Sequence, residues 1–505
     1  MNSRSRAHSF KYSENDHNLL DSKKDSDIHN LIFEIGNKDK SGVDISDCDF
    51  SEDFIEGFLR KEEIGLPGLS EPEVIRHFVN LSKKNYSIDE GIYPLGSCTM
   101  KHNPRLNEKL ARLDGFANIH PLQPISSVQG ILEMIFELSK DLLEITGMNA
   151  VAMTPAAGAQ GELCGILAVK QAIEKKGENR TKILVPDSAH GTNPSTAAIC
   201  GYNIESIPSD SNGRINFEVL KSKLNSDTAA LMLTNPNTCG LFENDIKKIS
   251  EEVHRVGAYL YCDGANFNAI VGKVKPSELG IDAMHLNLHK TFSTPHGGGG
   301  PGSGPVVVSK RLAPFLPVPF IKKNKNEKFE IIEDQGENSF GRLKAFHGQV
   351  GMFIRAYSYI LSHGSDGLTQ VAEDAVLNAN YILARLKDEL SVKYKGYCMH
   401  EVLFDDEFLK GTGVSTLDYA KAMIDLGVHP MTIYFPLIVS GAMLTEPTET
   451  ESKKDIDIFC EKLIHLAREA KKGNKELFSN SPSETRLGRL DETSAAKDLI
   501  LTYSV

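Results

Sequence analysis

Between residues 182 and 308 five short apolar runs alternate with helical patterns, and this alternation limits the folds open to the chain. The runs are Lys182–Val185, Ala229–Leu233, Ala258–Tyr261, Met284–Leu288 and Val306–Val308. Between or before them lie candidate helices at Glu162–Lys175, Thr196–Ala198, Phe217–Leu224 and Ile246–Val256. Continuous apolar runs describe strands buried on both faces, and strand–helix alternation predicts a parallel sheet with right-handed crossovers. Ligands then belong at the C-terminal ends of the strands.

The flanking segments extend this plan. Val128, Ile131, Leu132, Ile135, Leu138 and Leu142 keep one helical face apolar, and Gly147 stops that helix. Residues 1 to about 45 are polar and without periodicity, which predicts a disordered extension. Residues 46–125 read as a wrapping, loop-rich segment, residues 126–330 as the large domain and residues 331–505 as a smaller C-terminal α/β domain. That last part carries a helical pattern at Gly367–Leu386, strand-like runs at Tyr397–Phe404 and Thr432–Val439, and a final helix with Ile456, Phe459, Leu463 and Leu466.

Charge and composition exclude several functions. The 56 basic and 68 acidic residues leave a net charge of −12, unlike the basic face that phosphate backbones require. No stretch reaches the roughly 18 apolar residues of a membrane-spanning helix. Eight cysteines are scattered with no CxxC pair, as expected of reduced thiols in a cytoplasmic protein. The pattern calls for no metal.

Five segments carry candidate chemistry. Lys290 follows the run Met284–Leu288 and precedes the glycine-rich stretch His296–Gly302. A buried ammonium there is costly unless the nitrogen is used, and an imine to an aldehyde cofactor uses it. Asp263 closes the run Ala258–Tyr261, where a carboxylate could hold a proton on a pyridine nitrogen. The small Ala265 beside it would let a ring lie flat. Pro155–Glu162 puts small residues at a helix start, where N–H groups and the helix dipole suit a phosphate. His190 in Asp187–Pro194 could stack on a ring, and Thr234 stands in the polar turn Leu233–Gly240. Taken singly, each segment has an ordinary structural explanation. Their common placement at strand ends or helix starts would bring all five to one sheet edge.

In Tyr93–Lys101, Thr154–Glu162, Asp187–Thr196, Leu233–Phe242, Asp263–Gly272 and His285–Gly304 the chain resembles the glycine cleavage system P-protein family. The likeness continues through Asn378–Tyr381, His429–Glu451 and Arg489–Ala496, and the length is similar to the second subunit of the family's two-chain form. The resemblance implies fold type I of the pyridoxal-phosphate (PLP)-dependent transferases. It implies pyridoxal 5′-phosphate held covalently on Lys290, with Asp263 at the pyridine nitrogen and His190 stacked on the ring. Ala157, Gly158 and Ala159 match the phosphate loop, His289 a phosphate contact, and Asn287, Thr234 and Ala265 further cofactor contacts. The family usually carries histidine where Gln160 stands. The implied activity is that of a glycine dehydrogenase (aminomethyl-transferring, decarboxylating), an oxidoreductase of glycine catabolism that releases carbon dioxide. The implied partners are glycine, P-protein subunit 1 and lipoylated H-protein, in a heterotetramer of two subunit types, with no nucleic acid or membrane involved. The Tyr93–Lys101 loop is read as lining a channel for the lipoyl arm. Another fold-type-I decarboxylase or a desulfurase would share Lys290 and Asp263. A non-catalytic subunit should have lost both.

Overall fold

In a computed structural model, the described residues are 31–501 except 38, 44, 45, 47–55, 63, 297–301 and 486. Most of the extension expected at residues 1 to about 45, and the glycine run 297–300, lie outside them. Residues up to 87 with 485–505 form one compact unit, and residues 88–484 form another. In the first unit a helix spans Glu71–Ser82. Ser70 caps it, with Glu73 Oε2 accepting both the backbone N–H and the hydroxyl of Ser70, at 2.9 and 2.8 Å. A loop was expected there. The capping pair Ser70–Glu73 is the sequence signal for this helix.

The second unit is built on a seven-stranded sheet. Its strands are β1 (Ala150–Ala152), β2 (Lys182–Pro186), β3 (Asn203–Ile207), β4 (Thr228–Thr234), β5 (Tyr259–Asp263), β6 (Ala283–His285) and β7 (Val306–Val308). The spatial order is β1-β7-β6-β5-β4-β2-β3, with β7 antiparallel to its two neighbours and the other pairs parallel. Both faces are buried. Leu184, Leu231, Leu233, Leu260 and Cys262 enter one core cluster, while Ile183, Val185, Ala230, Met232, Tyr259 and Tyr261 enter another. Neighbours in sequence alternate between the two cores, which explains apolar runs without polar interruptions.

The expected runs become β2, β4 and β5 with ends shifted by at most two residues, and β7 with its ends unchanged. The run Met284–Leu288 breaks early: β6 ends at His285, and Lys290 sits on a single helical turn, Leu288–Thr291. The helix Gln129–Thr146 ends as expected, with Gly147 at φ 69°. Gly147→Ala should lower stability by about 1–2 kcal/mol, read as a lower urea midpoint, because a Cβ there is strained and would lie 2.2 Å from Ser277 Oγ.

The C-terminal half of this unit packs helices on a three-stranded sheet. Strands β10 (Val402–Phe404) and β11 (Thr432–Ile433) flank β12 (Met443–Thr445), all antiparallel. A separate two-stranded hairpin, β8 (Phe320–Lys323) with β9 (Phe329–Ile332), packs on the helix Gln129–Thr146 and places Phe329 in the main core. The runs Tyr397–Phe404 and Thr432–Val439 thus form strands over only part of their length. The helical pattern at Gly367–Leu386 belongs to a longer helix, Val350–Leu386, interrupted at Gly364 with φ 62° and ψ −171°. Ile456, Phe459, Leu463 and Leu466 are fully buried on the helix Lys453–Lys471. All seven described cysteines are free, and no described helix is long and apolar enough to cross a membrane.

Candidate active site

Because β1, β2, β4, β5 and β6 all point the same way, their C-terminal ends share one edge, and the loops leaving them surround a cavity. Lys290, Asp263, His190, Gly158, Ala159, Ala265, Asn287 and Thr234 line it, together with Ser97, Glu162, Thr192, Thr238, Asn266 and His285. Eight of the ten residues proposed from sequence therefore meet there. Ala157 and His289 stand one step back. Ala157 is the extended residue preceding the helix Gly158–Lys175. His289 lies between Asn287 and Ser303, with Nε2 3.3 Å from Asn287 Nδ2 and Nδ1 accepting Ser303 N–H at 3.2 Å.

Asp263 is held from several sides. Its Oδ1 accepts the N–H of Ala265 at 2.9 Å and lies 3.2 Å from His285 Nε2. The Tyr261 hydroxyl donates to His285 Nδ1 across 2.6 Å, which leaves the Nε2 proton for Asp263 and for Asn287 Oδ1 at 3.0 Å. Burial raises the Tyr261 phenol well above its ordinary range and lowers His285, so the tyrosine stays a donor and the imidazole neutral. Tyr261 and His285 were not proposed from sequence. The signal was the two-residue period, since Tyr261 and Asp263 share one face of β5, and His285 and Asn287 share the matching face beyond β6.

A second carboxyl group stands beside the first. Asn193, with its amide nitrogen turned toward them, donates to Glu162 Oε2 and Asp263 Oδ2, both at 3.2 Å. Glu162 Oε1 has no partner. Burial, then the negative charge of Asp263, push Glu162 up to about 8, so it is mostly protonated at neutral pH. A carboxyl group raised in the folded state binds more protons than its unfolded counterpart, so stability falls as pH rises from about 4.5 to about 8. Glu162→Gln should flatten this component in the cofactor-free chain, measured as denaturant midpoints across that range.

Also on the cavity wall, Gly158 opens the helix Gly158–Lys175 with no side-chain cap. A Cβ on Gly158 would lie 2.4 Å from Asn287 Nδ2, so only glycine leaves room for this wall. Gln160 Oε1 accepts the N–H of Ala156 at 2.7 Å and fixes the turn. The His190 ring takes Thr192 N–H on Nδ1 at 3.2 Å and is held neutral chiefly by burial. Lys290 Nζ donates to Ser97 O at 3.2 Å. Of the Tyr93–Lys101 loop, Ser97 lines the cavity, whereas Lys101 turns into the protein. Its ammonium donates to Glu449 Oε1 (2.6 Å), Thr291 O (2.8 Å), Asn268 Oδ1 (2.9 Å) and Tyr359 Oη (3.1 Å). Lys101 is therefore committed to the fold.

Comparison with known proteins gives this geometry a family. A class-V aminotransferase model matches residues 159–315, and a model of the glycine dehydrogenase C-terminal domain matches residues 371–485. A probable glycine dehydrogenase (decarboxylating) subunit 2 from Caulobacter vibrioides is 60% identical over 474 residues, covering 92% of this chain and 90% of that protein. The chain belongs to the glycine dehydrogenase (decarboxylating) subunit 2 family. A Thermotoga maritima relative with the same description is 51% identical, covering 94% of this chain and 99% of its own length. Among solved structures, a glycine decarboxylase (P-protein) of the glycine cleavage system matches with a TM-score of 0.69 at 19% identity, covering 82% of this chain and 95% of that one. A cysteine desulfurase from Thermococcus onnurineus matches at 0.58 and 15%, covering 75% of this chain and 95% of that one. At such identities these structures share the fold alone. The expected α/β fold of type I, with its mostly parallel sheet, is present.

Proposed function

We propose that this chain decarboxylates glycine with pyridoxal 5′-phosphate bound covalently to Lys290, and passes the aminomethyl group to the lipoyl arm of H-protein. In this reading it is a cytoplasmic enzyme that works with P-protein subunit 1 in a heterotetramer. The observation that carries the reading is the meeting of Lys290, Asp263, His190 and the Gly158 helix start around one cavity, in a chain of this family.

The residues fit the cofactor. Thr234 Oγ1, on the cavity wall, is buried without a partner. The uncapped N–H groups near Gly158 and Ala159 suit a phosphate, and the glycine leaves space beside Asn287. Asp263, fixed by Ala265 N–H and His285, is suited to keep a proton on a pyridine nitrogen. The neutral His190 ring would cover a flat ligand without adding charge. When bound, pyridoxal phosphate supplies an electron sink for the electron pair left as the carboxylate departs as carbon dioxide. Lys290 would hold the cofactor, and its nitrogen, which donates to Ser97 O, would be placed to give or take a proton beside it. Protonated Glu162 keeps a second negative charge away from Asp263, so a single carboxylate would be offered to a ring nitrogen.

The test is exchange of labelled bicarbonate into the glycine carboxyl group, using this chain with P-protein subunit 1 and lipoylated H-protein. Exchange that needs all components supports the reading. A complete, cofactor-loaded mixture without exchange sinks the glycine assignment and returns the chain to another amino-acid substrate.

A further inference from the structure

Beneath the Tyr93–Lys101 loop lie three ionisable side chains that the chemistry above does not use. His400, Glu401 and Glu446 are each 0% exposed. One ring nitrogen and one oxygen from each glutamate lie within 4.8 Å of one another. Neither nitrogen of His400 has a hydrogen-bond partner, and neither does Glu446 Oε2. The other contacts lead to the cavity. Glu401 Oε2 accepts Ser97 N–H at 2.7 Å, and Ser97 O accepts from Lys290 Nζ at 3.2 Å. Ser97 makes both bonds from a left-handed conformation, φ 63°, that serine seldom adopts unless held. Asn266, on the cavity wall, reaches Glu401 Oε1 at 3.4 Å, and Thr99 donates to Glu446 Oε1 at 2.5 Å.

Two carboxylates this deep cannot both ionise without a cation. Lys290 and Lys101 both act on Glu446, but Lys101 is paired with Glu449 at 2.6 Å. Lys290 is left as the charge that answers the pair, and it acts on both glutamates and on His400. Burial and mutual repulsion raise Glu401, and burial raises Glu446, so the pair retains a proton. His400 is pushed down to about 3 by burial and stays neutral. The thiol of Cys98 feels both glutamates and those of Cys239 and Cys398 feel Glu401, and burial raises each of them, which keeps them uncharged.

Building on the assignment of Lys290 as the cofactor lysine, we propose that Glu401 and Glu446 share one proton and act as the counter-charge of the Lys290 nitrogen. They are positioning residues that fix Ser97 O against the lysine and favour the protonated form of the nitrogen that carries the cofactor. The cluster keeps one negative charge facing the Lys290 nitrogen.

The test is a pH titration of the visible absorbance of the cofactor-loaded chain in complex with its partner subunit. It compares the wild type with Glu401→Gln and Glu446→Gln, each of which leaves the other glutamate to hold the single negative charge, and with the isosteric double variant Glu401→Gln/Glu446→Gln, which removes that charge. Removing the anion disfavours the protonated nitrogen, so the midpoint of the double variant should fall by roughly one pH unit, while each single variant keeps a value near that of the wild type. A double-variant midpoint equal to that of the wild type, or a full-unit fall in either single variant, would overturn the proposal. So would a stoichiometric metal ion found by elemental analysis of the wild type and lost in His400→Ala. A wild-type chain that forms no borohydride-stable cofactor adduct would instead overturn the assignment of Lys290, and the proposal with it.

Discussion

Lys290→Ala is expected to abolish the covalent uptake of pyridoxal phosphate and to lower bicarbonate exchange by roughly 10³-fold or more. After borohydride reduction the wild-type chain should carry the cofactor mass on the peptide containing Lys290, and the variant should carry none. The size of the effect follows from the site. Lys290 is the lysine lining the cavity, and its nitrogen is aimed by Ser97 O. The variant should still bind cofactor reversibly, since Asp263, His190 and the helix start at Gly158 are untouched. A variant that keeps a borohydride-stable adduct would show that another nitrogen carries the cofactor.

Lys101→Met should cost roughly 3–5 kcal/mol of stability, the largest loss expected from a single side chain away from the cavity. The Lys101 and Glu449 side chains are 1% and 9% exposed, so removing the ammonium leaves a carboxylate buried without its cation. Burial alone would lower Lys101, but Glu449 and Tyr359 more than offset it and raise the group. The double variant Lys101→Met/Glu449→Gln should recover much of the loss, as seen in denaturant midpoints. The same ammonium holds Thr291 O, one residue after Lys290. Lys101→Met should therefore also weaken cofactor retention, measured by dialysis of the loaded protein. Full retention with a large loss of stability would confine Lys101 to folding.

Local chemistry made much of this protein legible in its sequence. The apolar runs that became β2, β4, β5 and β7 are recognisable because each strand is buried on both faces. The stop at Gly147 is readable because a helix end often needs a left-handed residue. Lys290, Asp263 and His190 stand out because they follow such runs, and parallel strands carry whatever follows them to one edge. The shorter elements were less visible. β1 has three residues and owes its existence to pairing with β7, and β3 presents mostly exposed residues at the sheet edge. Neither pattern resembles a buried strand by itself.

What only the tertiary structure decided is which charges are buried together. Thr99 and Glu446 are 347 residues apart, and Ser97 and Glu401 are 304 apart. Nothing in either neighbourhood records the other. Lys101 looked like a residue free to meet a ligand until Glu449, Tyr359, Asn268 and Thr291 closed around it. The sequence by itself determined the sheet, its ligand-binding edge and the residues offered there, because those follow from periodicity and strand direction. The protonation of Glu162, the Tyr261–His285–Asp263 chain and the Glu401–Glu446 pair depend on desolvation and on distances of a few ångströms. Those quantities exist only once the chain has folded.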